Sequence, residues 1–363
     1  MAPFIFFQCV FTLMISITAA ALQPPLAPAL YVFGDSLLDS GNNNLLPTIA
    51  RANFLPYGAN FPKGNTGRFT NGKTVADFVA EFLGLQYSPP YLSLKNFKSS
   101  IPVTGLNYAS GGCGILPETG RPYGKCLHLE EQFDLFEKTV KSELPSHFNN
   151  NPEKLSDYLS KSVVVISIGS NDYLNNYLET IFFKTSQRFP PEPFAQLLVD
   201  SLSRQLERLY NIGARKVIMF EIGPIGCIPS VTRKYEHNGQ QCVEDKNQLV
   251  THFNNRLPSM LTNLTSTLTG STFVLGHAHW LSYDAAINPS SYGIADSTNP
   301  CCKAWLNGTS GCIPLLKPCR NVDNNYFWDG YHLTEAMYSV IAARCIEDKS
   351  VCIPLNLKEL VNV

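Results

Sequence analysis

Apolar residues gather along this chain in short runs, most of which open into glycine, serine or asparagine. Five stand out: ALYVFGDS from Ala29, VTGLNYASGG from Val103, SVVVISIGSND from Ser162, KVIMFEIGPIGC from Lys216 and STFVLGHAHW from Ser271. Several are nearly continuous rather than alternating, the pattern of strands covered on both faces. Between them the apolar spacing becomes that of a helix. Val75, Phe78, Val79, Phe82 and Leu83 share one helical face. Phe194, Leu197, Leu198, Leu202, Leu206 and Leu209 form a second stripe, which Gly213 can end. Near the C-terminus, TEAMYSVIAARCI predicts a helix with Thr334 as its N-cap. Strand and helix alternating in this way predict an α/β fold with one five-stranded parallel sheet and helices on both faces. No repeat, low-complexity tract or long linker interrupts it, so a single domain is expected; FPPEP at Phe189 reads as a loop before a helix.

The N-terminus alters that picture. Phe4 to Ala21 is apolar apart from Gln8, Thr12, Ser16 and Thr18, and Ala19-Ala20-Ala21 offers a small-residue cut site. The layout is that of a secretory signal peptide over residues 1–21 rather than a membrane anchor, although no Lys or Arg precedes the apolar stretch. Residues 22–363 are then the mature, soluble, extracellular domain. A net charge of −1 with no basic block argues against nucleic acid or an anionic membrane as partner.

Of eleven cysteines, Cys9 falls within the leader, and the remaining even number suits an oxidising compartment. Short separations suggest Cys113 with Cys126, Cys227 with Cys242 and Cys345 with Cys352, leaving Cys301, Cys302, Cys312 and Cys319 to pair among themselves. The adjacent Cys301-Cys302 lacks zinc-ligand spacing. Asn263 in NLT and Asn307 in NGT are acceptors for N-glycosylation on the same route.

Ligands of open parallel sheets bind beyond the carboxyl ends of the strands. There the first run delivers Gly34-Asp35-Ser36, the second Asn107 and Gly111-Gly112, and the third Gly169-Ser170-Asn171-Asp172. FWDGYHLTE, just before the last helix, adds Asp329 and His332. Acyl transfer needs these parts: a serine nucleophile, a histidine to take its proton, a carboxylate to orient the histidine, and donors for the oxyanion. No G-x-S-x-G occurs, which disfavours the α/β-hydrolase plan. Asp35 and Asp172 are expected to pin their loops rather than react, and Asn42 to Asn44 to form a polar turn. His277 and His279 resemble a metal pair but lack a third ligand.

FGDSLLDSGNNN, NYASGG, GSND and WDGYH, in this order, resemble the four blocks of the GDSL esterase/lipase family, the SGNH hydrolases, in their plant form. The resemblance runs from about Ala29 to Ile346 and includes YGANFPKGNTGRFTNGKTVADFVAEFLGL and GPIGCIPS. It implies a flavodoxin-like three-layer α/β/α sandwich and hydrolysis of carboxylic esters, including lipid esters, without a metal or other cofactor. It also implies a catalytic triad of Ser36, Asp329 and His332, and an oxyanion hole of Ser36, Gly112 and Asn171, with Gly111 the alternative glycine. Two positions depart from the family: Leu333 stands where a proline is usual, and Cys113 where alanine is frequent. The same acyl-enzyme could pass its acyl group to an alcohol, making an acyltransferase, and a secreted binding protein without turnover is the reading from another class.

Overall fold

The computed structural model describes residues 24–96 and 101–363; the expected leader at 1–21 lies outside them. Four strands, β1 (Leu30–Gly34), β2 (Val163–Ser167), β3 (Lys216–Phe220) and β4 (Thr272–Gly276), pair in parallel and in chain order. Nearly every residue in them is buried, as their continuous apolar sequences demand. A separate pair, β5 (Asp296–Pro300) and β6 (Asn325–Phe327), lies outside this sheet, and β7 (Cys352–Ile353) closes it antiparallel to β4.

The sheet is thus five-stranded but mostly rather than wholly parallel, and its fifth strand is β7 instead of the run from Val103. That run nevertheless lies along the outer edge of β1. Its backbone exchanges hydrogen bonds there: Leu30 to Thr104, Val32 to Leu106, Tyr108 to Val32 and Ser110 to Gly34, all at 2.7–3.1 Å. Gly105, at φ 107°, breaks its pleat, and only an isolated bridge between Val32 and Asn107 remains. Counting this edge segment, the spatial order is that of a flavodoxin-like sheet, with the reversal between β1 and β2.

Two layers of helix cover the sheet. Tyr31, Phe33, Val164, Ile166, Val217 and Met219 face one cluster, filled by α2 (Leu129–Lys138), α3 (Pro152–Lys161), α4 (Pro191–Ile212), α5 (Glu244–Asn254) and α6 (Leu257–Thr267). Leu30, Val32, Val163, Val165 and Ile218 face the other, filled by α1 (Val75–Leu83) and α7 (Glu335–Glu347). Gly213 ends α4 as expected. Thr334 does occupy the N-cap position of α7, but its hydroxyl donates to Asn325 O, and the Glu335 N–H donates instead to Asn71 Oδ1 at 2.8 Å. The five disulfides are Cys113–Cys126, Cys227–Cys242, Cys301–Cys319, Cys302–Cys312 and Cys345–Cys352. Among the described residues no helix is long and apolar enough to cross a membrane.

Candidate active site

The loops after β1 and β2 meet at the order reversal, joined by the loop before α7. Gly34 lets the first of them turn: at φ 145° it sits so close to β2 that a Cβ would lie 2.1 Å from Ser167 O. Its N–H and C=O are both held by the Gln132 amide at 2.8 Å, so the strand end carrying Ser36 is fixed from α2.

His332 Nε2 is 2.8 Å from Ser36 Oγ, and His332 Nδ1 is 2.8 Å from both oxygens of Asp329. Asp329 can only accept at Nδ1, so the hydrogen belongs there and the Nε2 lone pair faces the serine. The carboxylate is fully buried. Its Oδ1 accepts the N–H groups of Tyr331 and His332 at 2.8 Å, and its Oδ2 accepts the Tyr57 hydroxyl at 2.6 Å. Leu333 loosens nothing here. Trp328 N–H to His332 O and Thr334 N–H to Tyr326 O close the turn at 2.7 and 3.0 Å, and Leu333 O accepts the Thr70 hydroxyl.

The glycine alternatives separate by what their amides do. Gly111 N–H donates to Asp39 Oδ2 at 3.0 Å, whereas Gly112 and Ser36 N–H have no acceptor among the described residues. Asn171 Nδ2 donates to Cys113 O at 2.9 Å, and Asn171 Oδ1 accepts from Asn175, which orients the amide and leaves its second hydrogen free. Cys113 therefore contributes a carbonyl to this arrangement as well as its disulfide. Ser36, Gly112 and Asn171 all line one cavity.

Three buried carboxyls support these loops. Asp172 accepts from Ile115 N, Leu116 N and the Thr119 hydroxyl, and Asp39 from Gly41, Asn42 and Gly111. Both therefore pin the segment carrying Gly112. Burial pushes each up to about 6. Asp35 accepts only Leu37 N–H, its Oδ2 has no protein partner among the described residues, and burial pushes it up to about 7. A carboxyl raised on folding holds its proton more firmly in the folded chain. It favours the folded state in acid and costs stability as the pH climbs from about 4 through about 7. Asp35→Asn is expected to remove part of that fall, so its Tm advantage over the parent is larger at pH 8 than at pH 4, measured by thermal unfolding across that range.

The cavity has a volume of about 480 Å³, within the usual range of small-molecule sites. Its walls are largely apolar, with Phe54, Phe69, Leu174, Ile225, Pro314 and Phe327 among them, and Arg51 supplies the one cationic side chain in the lining. No cluster that could hold a metal is found among the described residues. His277 pairs with Glu221 at 2.9 Å, and His279 Nδ1 lies 2.9 Å from Ile222 O, so the two imidazoles are committed separately. Asn42 and Asn43 are buried braces rather than cavity walls: their amides donate to Asn107, Ala109, Ala50 and Gly111 carbonyls. Asn263 and Asn307 are both exposed. Tyr57 escaped the sequence reading, since nothing local distinguishes a phenol that is buried against a carboxylate 272 positions away.

Comparison with known proteins bears on this geometry directly. The model of the GDSL-like Lipase/Acylhydrolase family matches residues 30–345, nearly the whole described chain. The chain belongs to that family. GDSL esterase/lipase 7 of Arabidopsis thaliana is 44 % identical over 342 residues, covering 93 % of either chain. A second GDSL esterase/lipase of Arabidopsis thaliana is 41 % identical over 340 residues, covering 92 % of this chain and 87 % of that one. The solved phospholipase A1 from Streptomyces albidoflavus is far more distant, with 14 % identity and a TM-score of 0.34 over 86 % of this chain and 95 % of the other. As a GDSL family member the protein is a hydrolase acting on ester bonds, and the α/β/α sandwich is the fold that the resemblance implied.

Proposed function

We propose that this hydrolase is a secreted serine esterase that works through an acyl-enzyme. Ser36 Oγ attacks the ester carbonyl while His332 Nε2 takes its proton. His332 then returns that proton to the departing alkoxide, and a water, deprotonated by the same nitrogen, releases the acid and restores Ser36. Asp329 keeps the imidazole in the required tautomer and stabilises its charged form. The N–H groups of Ser36 and Gly112 and the Asn171 amide receive the oxyanion. The apolar walls of the cavity suit a hydrocarbon acyl group.

The observation that carries this reading is the unbroken contact from Ser36 Oγ through His332 to Asp329, beside two amides without acceptors among the described residues. Five disulfides support secretion, and exposure of Asn263 and Asn307 is compatible with glycosylation. The test is hydrolysis of p-nitrophenyl esters from acetate to palmitate, together with labelling by a p-nitrophenyl phosphonate. Turnover with a mass increase on the peptide carrying Ser36 is the expected result; a folded protein that neither turns over nor labels contradicts it.

Removing one hole donor has a characteristic cost. Asn171→Ala is expected to lower kcat on the order of 10²–10³-fold with little change in KM, because the amide matters most once the carbonyl oxygen carries charge. Steady-state kinetics on a soluble ester checks it.

A further inference from the structure

Large apolar side chains face solvent on two segments that also contribute residues to the cavity lining. Ile49, Leu306 and Leu315 are 78 %, 76 % and 78 % exposed, and Leu55, Trp305 and Leu316 are exposed beside them in sequence. Ile49 and Trp305 also line the cavity, so the rim is continuous with its interior. The residues come from two loops tied together: Leu315 N–H donates to Leu55 O at 2.8 Å, and the buried Tyr57 hydroxyl accepts Cys312 N–H at 3.1 Å. Two disulfides, Cys301–Cys319 and Cys302–Cys312, anchor the second loop. Leu306 and Leu315 have left-handed backbone, at φ 52° and 64°, which a leucine adopts only at a cost and glycine or asparagine adopts readily. At these two positions the chain has thus placed leucine, unburied, where the backbone favours a small or polar residue.

Charge is distributed in the same sense. From Ser40 to Ala76 and from Cys301 to Val322 there is no carboxylate at all. Arg51, Lys63, Lys303, Lys317 and Arg320 lie in these two stretches, and none has a carboxylate partner among the described residues. All 29 of the chain's Asp and Glu residues lie outside these two stretches. A net charge of −1 averages over this asymmetry and hides it.

We propose that the two loops seat the protein on an anionic lipid surface, with Leu306 and Leu315 entering the acyl boundary and the unpaired cations meeting the headgroups. Exposed leucine and tryptophan beside unpaired Lys and Arg are the composition of a surface-binding element. A second copy fits less well, because a two-fold contact would bring one pair of basic, carboxylate-free loops against another. The docking rests on the esterase reading only in that the mouth it covers opens on Ser36, and it is tested apart from turnover.

The probe is vesicle co-sedimentation of the Ser36→Ala protein as secreted, which keeps the surface without the proposed nucleophile. Vesicles of phosphatidylcholine alone are compared with vesicles of equal parts phosphatidylcholine and phosphatidylglycerol. Binding to the anionic vesicles is expected to exceed that to neutral ones by roughly tenfold or more and to weaken with added salt. Adding Leu306→Asn with Leu315→Asn, which the left-handed backbone accepts, is expected to reduce it by roughly tenfold. With Ser36 present, the same double variant should hydrolyse p-nitrophenyl butyrate at the parent rate, since neither leucine lines the cavity. Equal vesicle binding by parent and double variant, no binding to anionic vesicles, or loss of butyrate hydrolysis in the double variant would overturn the proposal. So would a dimer in sedimentation velocity that the double substitution abolishes, which would assign the face to a second copy.

Discussion

Ser36→Ala is expected to lower kcat toward a p-nitrophenyl ester by about 10⁶-fold while leaving Tm close to that of the parent. The size follows from what the substitution removes. Without the hydroxyl there is no covalent route, His332 has no serine proton to take and Asp329 no imidazolium to stabilise, so all three residues are lost as a unit. What remains is binding in the cavity and whatever the hole donors achieve for a directly attacking water. Stability should change little, because Ser36 Oγ makes one side-chain contact, to His332 Nε2, and sits at the cavity wall rather than in the core. Activity and thermal unfolding measured on the same preparation check both halves. A variant that keeps full turnover would remove Ser36 from the mechanism altogether.

Asp329→Asn is the second large effect, at about 10⁴-fold in kcat. Asparagine has almost the same shape, and its oxygen can still accept from Tyr331 and His332 N–H. Its amide nitrogen, however, then faces His332 Nδ1 or the Tyr57 hydroxyl. Donation to Nδ1 places the imidazole hydrogen on Nε2, where it opposes the serine proton instead of receiving it. The loss should therefore fall on kcat at every pH at which the parent works, with modest change in KM. Rate–pH profiles for the two proteins make the comparison. Loss of only a few-fold would mean that Asp329 does no more than hold the turn.

Much of this site was legible in the sequence because its parts arrive as compact blocks. Ser36 follows a strand by two residues, and Asp329 and His332 share one turn, so local spacing was sufficient to suggest their partnership. The different engagement of the two glycine amides was not legible, since Asp39 accepts from Gly111 across a long separation in sequence. Strand β7 escaped because two residues carry no periodicity, and the run from Val103 passed for a full strand because Gly105 breaks its pleat without altering its apolar pattern. Asn42 and Asn43, polar in sequence, proved to be interior braces; burial of an amide that spends its hydrogens on carbonyls leaves no trace in composition. The cavity walls come from distant segments, and their shape is a property of packing alone.

Tyr57 connects two features that chemistry ordinarily keeps apart. Its hydroxyl donates to Asp329 and accepts from the backbone of Cys312, half of the Cys302–Cys312 bridge. The carboxylate that orients His332 is thereby held, one residue removed, by a covalent link that exists only under oxidising conditions. A chain produced among reducing thiols could assemble its sheet and helices and still leave this acid slack. Maturation of the site would then coincide with closure of that bridge, leaving a period in which the hydrolase is present but idle.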